Sequence, residues 1–184
     1  MTERKGDPAE EFDQRAFRDA MGRFTTGVTV VTTYRDGRVH GMTANGFMSV
    51  SLDPPLVVVS IARGARMHEA LSASGRYGVS VLCDEQEQLS GHFAGSPVDG
   101  LTPEFTWSHG VPVLSGALAQ VTAEVTDAHP AGDHTLYVGR VSTFVLRDGV
   151  NPLVFHAGRY RGLMEARPEY AQAWSGFALD PHGA

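Results

Sequence analysis

Three stretches of this chain carry residue types able to hold a ligand. The first reads Gly41-Met42-Thr43-Ala44-Asn45-Gly46-Phe47, then Ser49-Val50-Ser51. A strand end with so many small and hydroxyl residues exposes its backbone. A flat heterocycle with acceptors and an N–H on its rim would find partners there in Thr, Asn and main-chain groups. The same composition also makes an ordinary strand with a glycine-flanked bend. The second stretch is Ala62-Arg63-Gly64-Ala65-Arg66, between an expected strand and an expected helix. A helix N-terminus offers free N–H groups and a favourable dipole to an anion, and arginine adds two-pronged phosphate contacts. A polar loop with solvated arginines is the plainer reading. The third combines Gly132-Asp133-His134-Thr135 with His156 and Arg159-Tyr160. Histidine and arginine there suit the phosphates of a nucleotide cofactor, although a lone histidine is more often packed or simply solvated.

Other chemistries find less support. The eight histidines show no H-E-x-x-H or other zinc spacing, so no metal is expected. Cys83 sits at a strand end with no base in view and reads as core. There is no P-loop and no G-x-G-x-x-G after a strand. No residue is singled out as a catalytic acid or base.

Composition narrows the setting. The chain has 184 residues, the length of one domain. Such a domain buries roughly two-thirds of its unfolded surface and needs no staple. A single cysteine excludes an intrachain disulfide and fits a reducing, cytoplasmic setting. Net charge is −6, and no basic cluster points to nucleic acid. All but one of the fifteen basic residues are arginine. The apolar runs at 56–61 and 78–83 are too short to span a bilayer. Residues 1–11 are charged, lack an apolar core, and do not read as a secretory signal.

The elements that must position these residues follow from periodicity. Residues 1–11 are expected to be a flexible, polar segment. Phe12, Ala16, Phe17, Ala20, Met21 and Phe24 make one helical stripe over 10–24. Residues 28–34 (VTVVTTY) predict a strand, Asp36-Gly37 a hairpin turn, and 39–45 the return strand. Leu52-Asp53-Pro54-Pro55 breaks the chain before a strand at 56–61. A short helix then ends at Gly75. A strand covers 77–82, and Asp84 with Glu87 marks a capped helix to about residue 94. Residues 95–112 read as loop. Long strands are expected at 118–126 and 135–146, and a short one at 153–155. Trp174 and Phe177 belong to no clear element. Helices and strands do not alternate one for one, so a parallel doubly wound sheet is disfavoured. A mainly β fold, a mostly antiparallel barrel with peripheral helices, fits better.

Taken in order, these stretches resemble the flavin reductase family with the FMN-binding split-barrel fold, the reductase components of two-component flavin monooxygenases. The resemblance begins at Phe17-Arg18-Asp19-Ala20-Met21-Gly22-Arg23-Phe24 and Thr26-Gly27-Val28-Thr29-Val30-Val31-Thr32. It continues through Gly41-Met42-Thr43-Ala44-Asn45 and Ser49-Val50-Ser51-Leu52-Asp53-Pro54-Pro55. Leu89-Ser90, Phe93-Ala94-Gly95, Gly132-Asp133-His134-Thr135 and His156-Ala157-Gly158-Arg159-Tyr160 complete it. It covers about 12–163 and leaves 164–184 as a C-terminal extension.

The resemblance implies a homodimer that binds FMN or FAD near the subunit interface. It implies hydride transfer from NADH or NADPH to FMN, FAD or riboflavin, with reduced flavin supplied to a partner oxygenase. By resemblance, Met42, Thr43, Ala44 and Asn45 meet the ring and ribityl chain, with Ser49, Val50 and Ser51 nearby. Ala62, Arg63 and Arg66 belong to the phosphate end, and Phe93 and Ala94 close the flavin pocket. His134, with His156, Arg159 and Tyr160, lies on the nicotinamide side. Members often carry serine and threonine at the positions of Ala65 and Met67, and serine at that of Gly46. Losing those hydroxyls implies that flavin is a diffusing substrate. Two other readings are an oxidase of the pyridoxamine-phosphate-oxidase-like class that retains its flavin, and a non-catalytic flavin- or haem-binding module.

Overall fold

The computed structural model describes residues 12–163. The expected N-terminal segment 1–11 and the extension 164–184, with Trp174 and Phe177, lie outside the described residues. Three helices, a short 3-10 turn and twelve strands are present among those described. They are α1 Gln14–Met21, β1 Thr26–Gly27, β2 Thr29–Arg35, β3 Arg38–Ala44, β4 Phe47–Leu52, β5 Pro55–Ala62, α2 Arg66–Ser74, β6 Arg76–Val81, the 3-10 turn Asp84–Gln86, α3 Glu87–Phe93, β7 Phe105–Ser108, β8 Val111–Leu114, β9 Ala119–Ala131, β10 His134–Leu146, β11 Val154–His156 and β12 Arg159–Arg161.

Seven strands form one antiparallel sheet in the order β3-β2-β6-β9-β10-β5-β4. Strands β3 and β4 are its two edges, yet only Asn45 and Gly46 connect them. A flat sheet of seven strands would hold its edges about 29 Å apart. Three Cα steps reach about 11 Å. The sheet therefore curls until its edges meet at Asn45-Gly46, while β3 and β4 stay unpaired. The result is an antiparallel barrel split along one seam.

The concave side is identified by which residues meet across it. Val31 of β2 and Val57 and Val59 of β5 share one cluster with Tyr77, Val79, Ala123 and Tyr137, although β2 and β5 are not neighbours in the sheet. Met67 and Leu71 join it, so α2 plugs this interior. The opposite face of β2 carries Val30, which with Val28 just before the strand packs with Leu82, Leu114 and Leu153 under Leu89 and Phe93 of α3. Strand β2 is thus buried on both faces over its first five residues, which explains its unbroken β-branched run. Each such fully buried aliphatic side chain contributes about 1.5–3 kcal/mol.

Local signals explain the boundaries. Asp36 (φ 52°) and Gly37 (φ 74°) turn the β2–β3 hairpin, as Asp-Gly predicts. Gly75 ends α2 with φ 65°. Helix α1 begins later than the apolar stripe suggested, because Asp13 accepts hydrogen bonds from the amides of Arg15 and Ala16 at 2.9 and 3.0 Å. The capping before α3 also differs from the expected Asp84–Glu87 pair. The Gln86 side chain instead accepts from the Cys83 amide at 3.3 Å. Residues 95–112 are not all loop: β7 pairs with β8 through a tight turn at His109-Gly110. The prolines and glycines around that hairpin masked its short alternation. No helix among the described residues is long and apolar enough to cross a membrane.

Candidate functional site

The site lies along β3, beside the seam. The Thr29 hydroxyl donates to the Ala44 carbonyl at 2.6 Å and fixes the end of β3. The Ser60 amide donates to the Gly46 carbonyl at 2.8 Å and fixes the crossing. Beside that crossing opens a cavity of about 620 Å³, lined among others by Phe24, Thr26, Asn45, Phe47, Met48 and Leu136. Its walls are almost wholly apolar. The Thr26 hydroxyl there is buried and has no hydrogen-bond partner, which leaves a polar atom in need of one.

Asn45 also lines a second cavity, of about 410 Å³, with Met42, Thr43, Ser90, Phe93 and Tyr160. The Thr43 hydroxyl donates to the Ser90 carbonyl at 2.7 Å. Ser90 Oγ and the Tyr160 hydroxyl lie 2.7 Å apart. A third cavity, of about 460 Å³, shares Met42, Phe93 and Ala94 and adds His40, Ala65 and Arg66. Here α2 begins. Its N-cap, Ala65, makes no side-chain cap bond; the His68 amide donates to the Ala65 carbonyl at 2.9 Å, which leaves the Arg66 and Met67 amides open to an anion. Met67 is 3% exposed and packs in the interior. Arg66 is exposed and is the cation of this end.

The expected residues divide. Met42, Thr43, Asn45, Arg66, Phe93, Ala94 and Tyr160 come together along these three cavities. Ala44 contributes its carbonyl to the bond with Thr29. Ser49, Val50 and Ser51 lie on edge strand β4, across a bulge, and line none of the three cavities. Ala62 pairs with His134, and the Arg63 amide donates to the Asp133 carbonyl at 2.9 Å. His134 Nδ1 lies 2.7 Å from Asp133 Oδ1, and this hydrogen bond holds the exposed Asp133 carboxyl below its ordinary range. His156 and Arg159 face each other across the β11–β12 hairpin, and His156 Nε2 is buried without a partner. Tyr160 meets α3 through Ser90 and lines the second cavity with Met42 and Thr43 of β3, while His134 sits at the β9–β10 turn and lines none of the three cavities.

Some residues at the site were legible only as parts of motifs, without a role there. Thr26 and Phe24 come from the segment between α1 and β2, and only the curl of the sheet brings that segment to Asn45. Gly41 matters because a side chain there would meet Phe93. Ser90 looks like an ordinary helix serine until its Tyr160 contact is seen.

Neighbouring cavities that share lining residues in turn lead from the apolar seam of a split barrel to the N-terminus of α2, an arrangement with room for a ligand that joins a flat ring to a phosphate. The chain belongs to the flavin reductase-like domain family, whose profile matches residues 21–164. It is 49% identical over 166 residues to an NADH-dependent flavin reductase from a Rhodococcus species, covering 89% of this chain and 94% of that protein. Among solved structures it is similar to the flavin reductase PheA2, with a TM-score of 0.81 and 46% identity, over 84% of this chain and all (100%) of that one. It is also similar to the NADH:FAD oxidoreductase SgcE6 of Streptomyces globisporus C-1027 in complex with NAD and FAD fragments. There the TM-score is 0.78 and the identity 37%, over 85% of this chain and 98% of that one.

Proposed function

We propose that this chain transfers hydride from NADH to a diffusing flavin (FMN, FAD or riboflavin) and releases the reduced flavin to a partner monooxygenase. The observation that carries the reading is the run of three linked cavities along β3, apolar at the seam and cationic at α2. The donor set fits a flavin. Asn45 suits a polar ring edge, Met42 and Phe93 offer apolar walls, and Arg66 with the first amides of α2 suits a phosphate. The relatives named as NADH-dependent support NADH over NADPH.

The flavin supplies the hydride-accepting ring, so the protein's work is binding, orientation and exclusion of side reactions. Thr43 donates its proton to the Ser90 carbonyl and keeps lone pairs to accept from a ligand. Phe93 and Met42 restrict the slot, and closeness of the two rings accounts for most of the rate. Asp133 holds the His134 ring through Nδ1, which leaves Nε2 for the nicotinamide nucleotide. Arg159, exposed on β12, adds a cation on that side. No hydroxyl from Ala65 or Met67 reaches the phosphate end, in keeping with a flavin that exchanges freely.

A second copy of the chain covers the ring cavity in this reading. Helix α1 buries none of its residues. Phe17, Met21 and Phe24 are exposed, as are Met48 and Val50 on β4 and Phe144, Val145 and Leu146 at the end of β10. Exposed apolar surface of that extent marks an interface, and Phe24 and Met48 also line the cavity. The single cysteine, buried and unpaired, suits the reducing cytoplasm.

The deciding experiment is NADH oxidation followed by absorbance, with and without added FMN, FAD or riboflavin. Turnover that depends on added flavin is expected, from protein that loses its yellow colour on dialysis. No turnover with any flavin and either nicotinamide nucleotide would overturn the reading.

A further inference from the structure

We propose that Ser90 is a positioning residue for the flavin slot, acting through Phe93. The inference rests on the reading of that slot given above. Ser90 is fully buried, at 0% exposure, in the seven-residue helix α3. So short a helix takes its place from tertiary contacts rather than from its own propensity. Serine is a poor choice for a buried helical position unless its hydroxyl is used. Here it is used: Oγ meets the Tyr160 hydroxyl at 2.7 Å. On the same turn, the Ser90 carbonyl accepts from Thr43 at 2.7 Å and from the Ala94 amide at 3.0 Å. One residue therefore ties α3 to β3 and to β12.

Phe93 lies three residues on, on the same face of the helix. Its ring sits directly over Gly41, where an added Cβ would stand 2.5 Å from Cε1. Phe93 lines both the second and the third cavity, so its ring borders the passage between the ring end and the phosphate end. Where α3 stands relative to β3 decides the width of that passage. The Thr43 bond to the Ser90 carbonyl spans α3 and β3, and the contact of the Ser90 hydroxyl with Tyr160 holds the helix at that spacing from the β12 side.

The test compares Ser90→Ala, Phe93→Ala and the double variant in steady-state kinetics with NADH and FMN, alongside melting temperatures. Ser90→Ala is expected to raise the KM for FMN about fivefold, the effect of one lost neutral hydrogen bond, with the larger share of the change in KM rather than kcat. The double variant is expected to be no worse than Phe93→Ala alone, because Ser90 acts through that ring. Tyr160→Phe carries the same expectation, and it serves if Ser90→Ala does not fold. A lowered melting temperature with an unchanged KM for FMN would show a merely structural serine and overturn the proposal. Additive effects of Ser90→Ala and Phe93→Ala would overturn the route through Phe93. A Phe93→Ala variant with unchanged KM would instead overturn the reading of the slot itself.

Discussion

The Phe93 ring rests on the backbone of Gly41, so closely that a Cβ at position 41 would stand 2.5 Å from Cε1. Gly41→Ala is therefore expected to push the ring off β3 and into the cavities it borders. The cost in stability is about 1 kcal/mol, at the low end for overpacking because only the far edge of one ring must move. A rise in the KM for flavin, with the protein still folded by circular dichroism, is the outcome to look for.

Arg66 supplies the cation at the open N-terminus of α2. Replacing it with alanine is expected to raise the KM for FMN and FAD roughly tenfold, the range of a charge-assisted contact. Riboflavin, which has no phosphate, is expected to be unaffected. Equal losses with all three flavins would place the phosphate elsewhere.

Inside the barrel the Tyr77 hydroxyl lies 3.3 Å from both the Val57 and Tyr137 carbonyls. Burial pushes its phenol well above the ordinary value of 10.0. Once pH passes that ordinary value, the unfolded chain ionises while the folded one holds its proton. The stabilisation is complete below it and is lost as pH climbs toward the raised folded value. Tyr77→Phe is expected to cost about 1 kcal/mol at neutral pH and to flatten the alkaline fall in melting temperature.

Thr122 is 2% exposed, and its hydroxyl has no hydrogen-bond partner. Thr122→Val keeps the β-branched shape and removes a buried, unsatisfied group. A gain of about 1 kcal/mol is expected, or roughly 2–4 °C in melting temperature for a chain of this size. An unchanged or lower melting temperature would mean that the hydroxyl is satisfied in solution.

The exposed end of β10 tests the second copy. Phe144 and Leu146 are 66% and 68% exposed. The double change Phe144→Asp and Leu146→Asp is expected to shift the protein from dimer to monomer in sedimentation and to weaken flavin-dependent turnover. A monomeric parent protein would remove the premise.

What could be read from the chain alone was local. The β-branched run of β2, the Asp36-Gly37 turn and the Gly75 helix end each depend on backbone preferences of a few adjacent residues, and each stands in the structure. The order of the motifs also identified the family. The seam is different in kind. Nothing within Ala44-Asn45-Gly46-Phe47 says that it joins opposite edges of a seven-stranded sheet, because that follows from pairings between distant strands. The same pairings bring Thr26 and Leu136 to one cavity with Asn45, and dock Tyr160 on Ser90. They also expose the apolar stripe of α1, which by itself reads as a buried helix face. Periodicity records that a face is apolar. Only the tertiary structure decides what that face meets, because burial is a property of the neighbours and not of the segment.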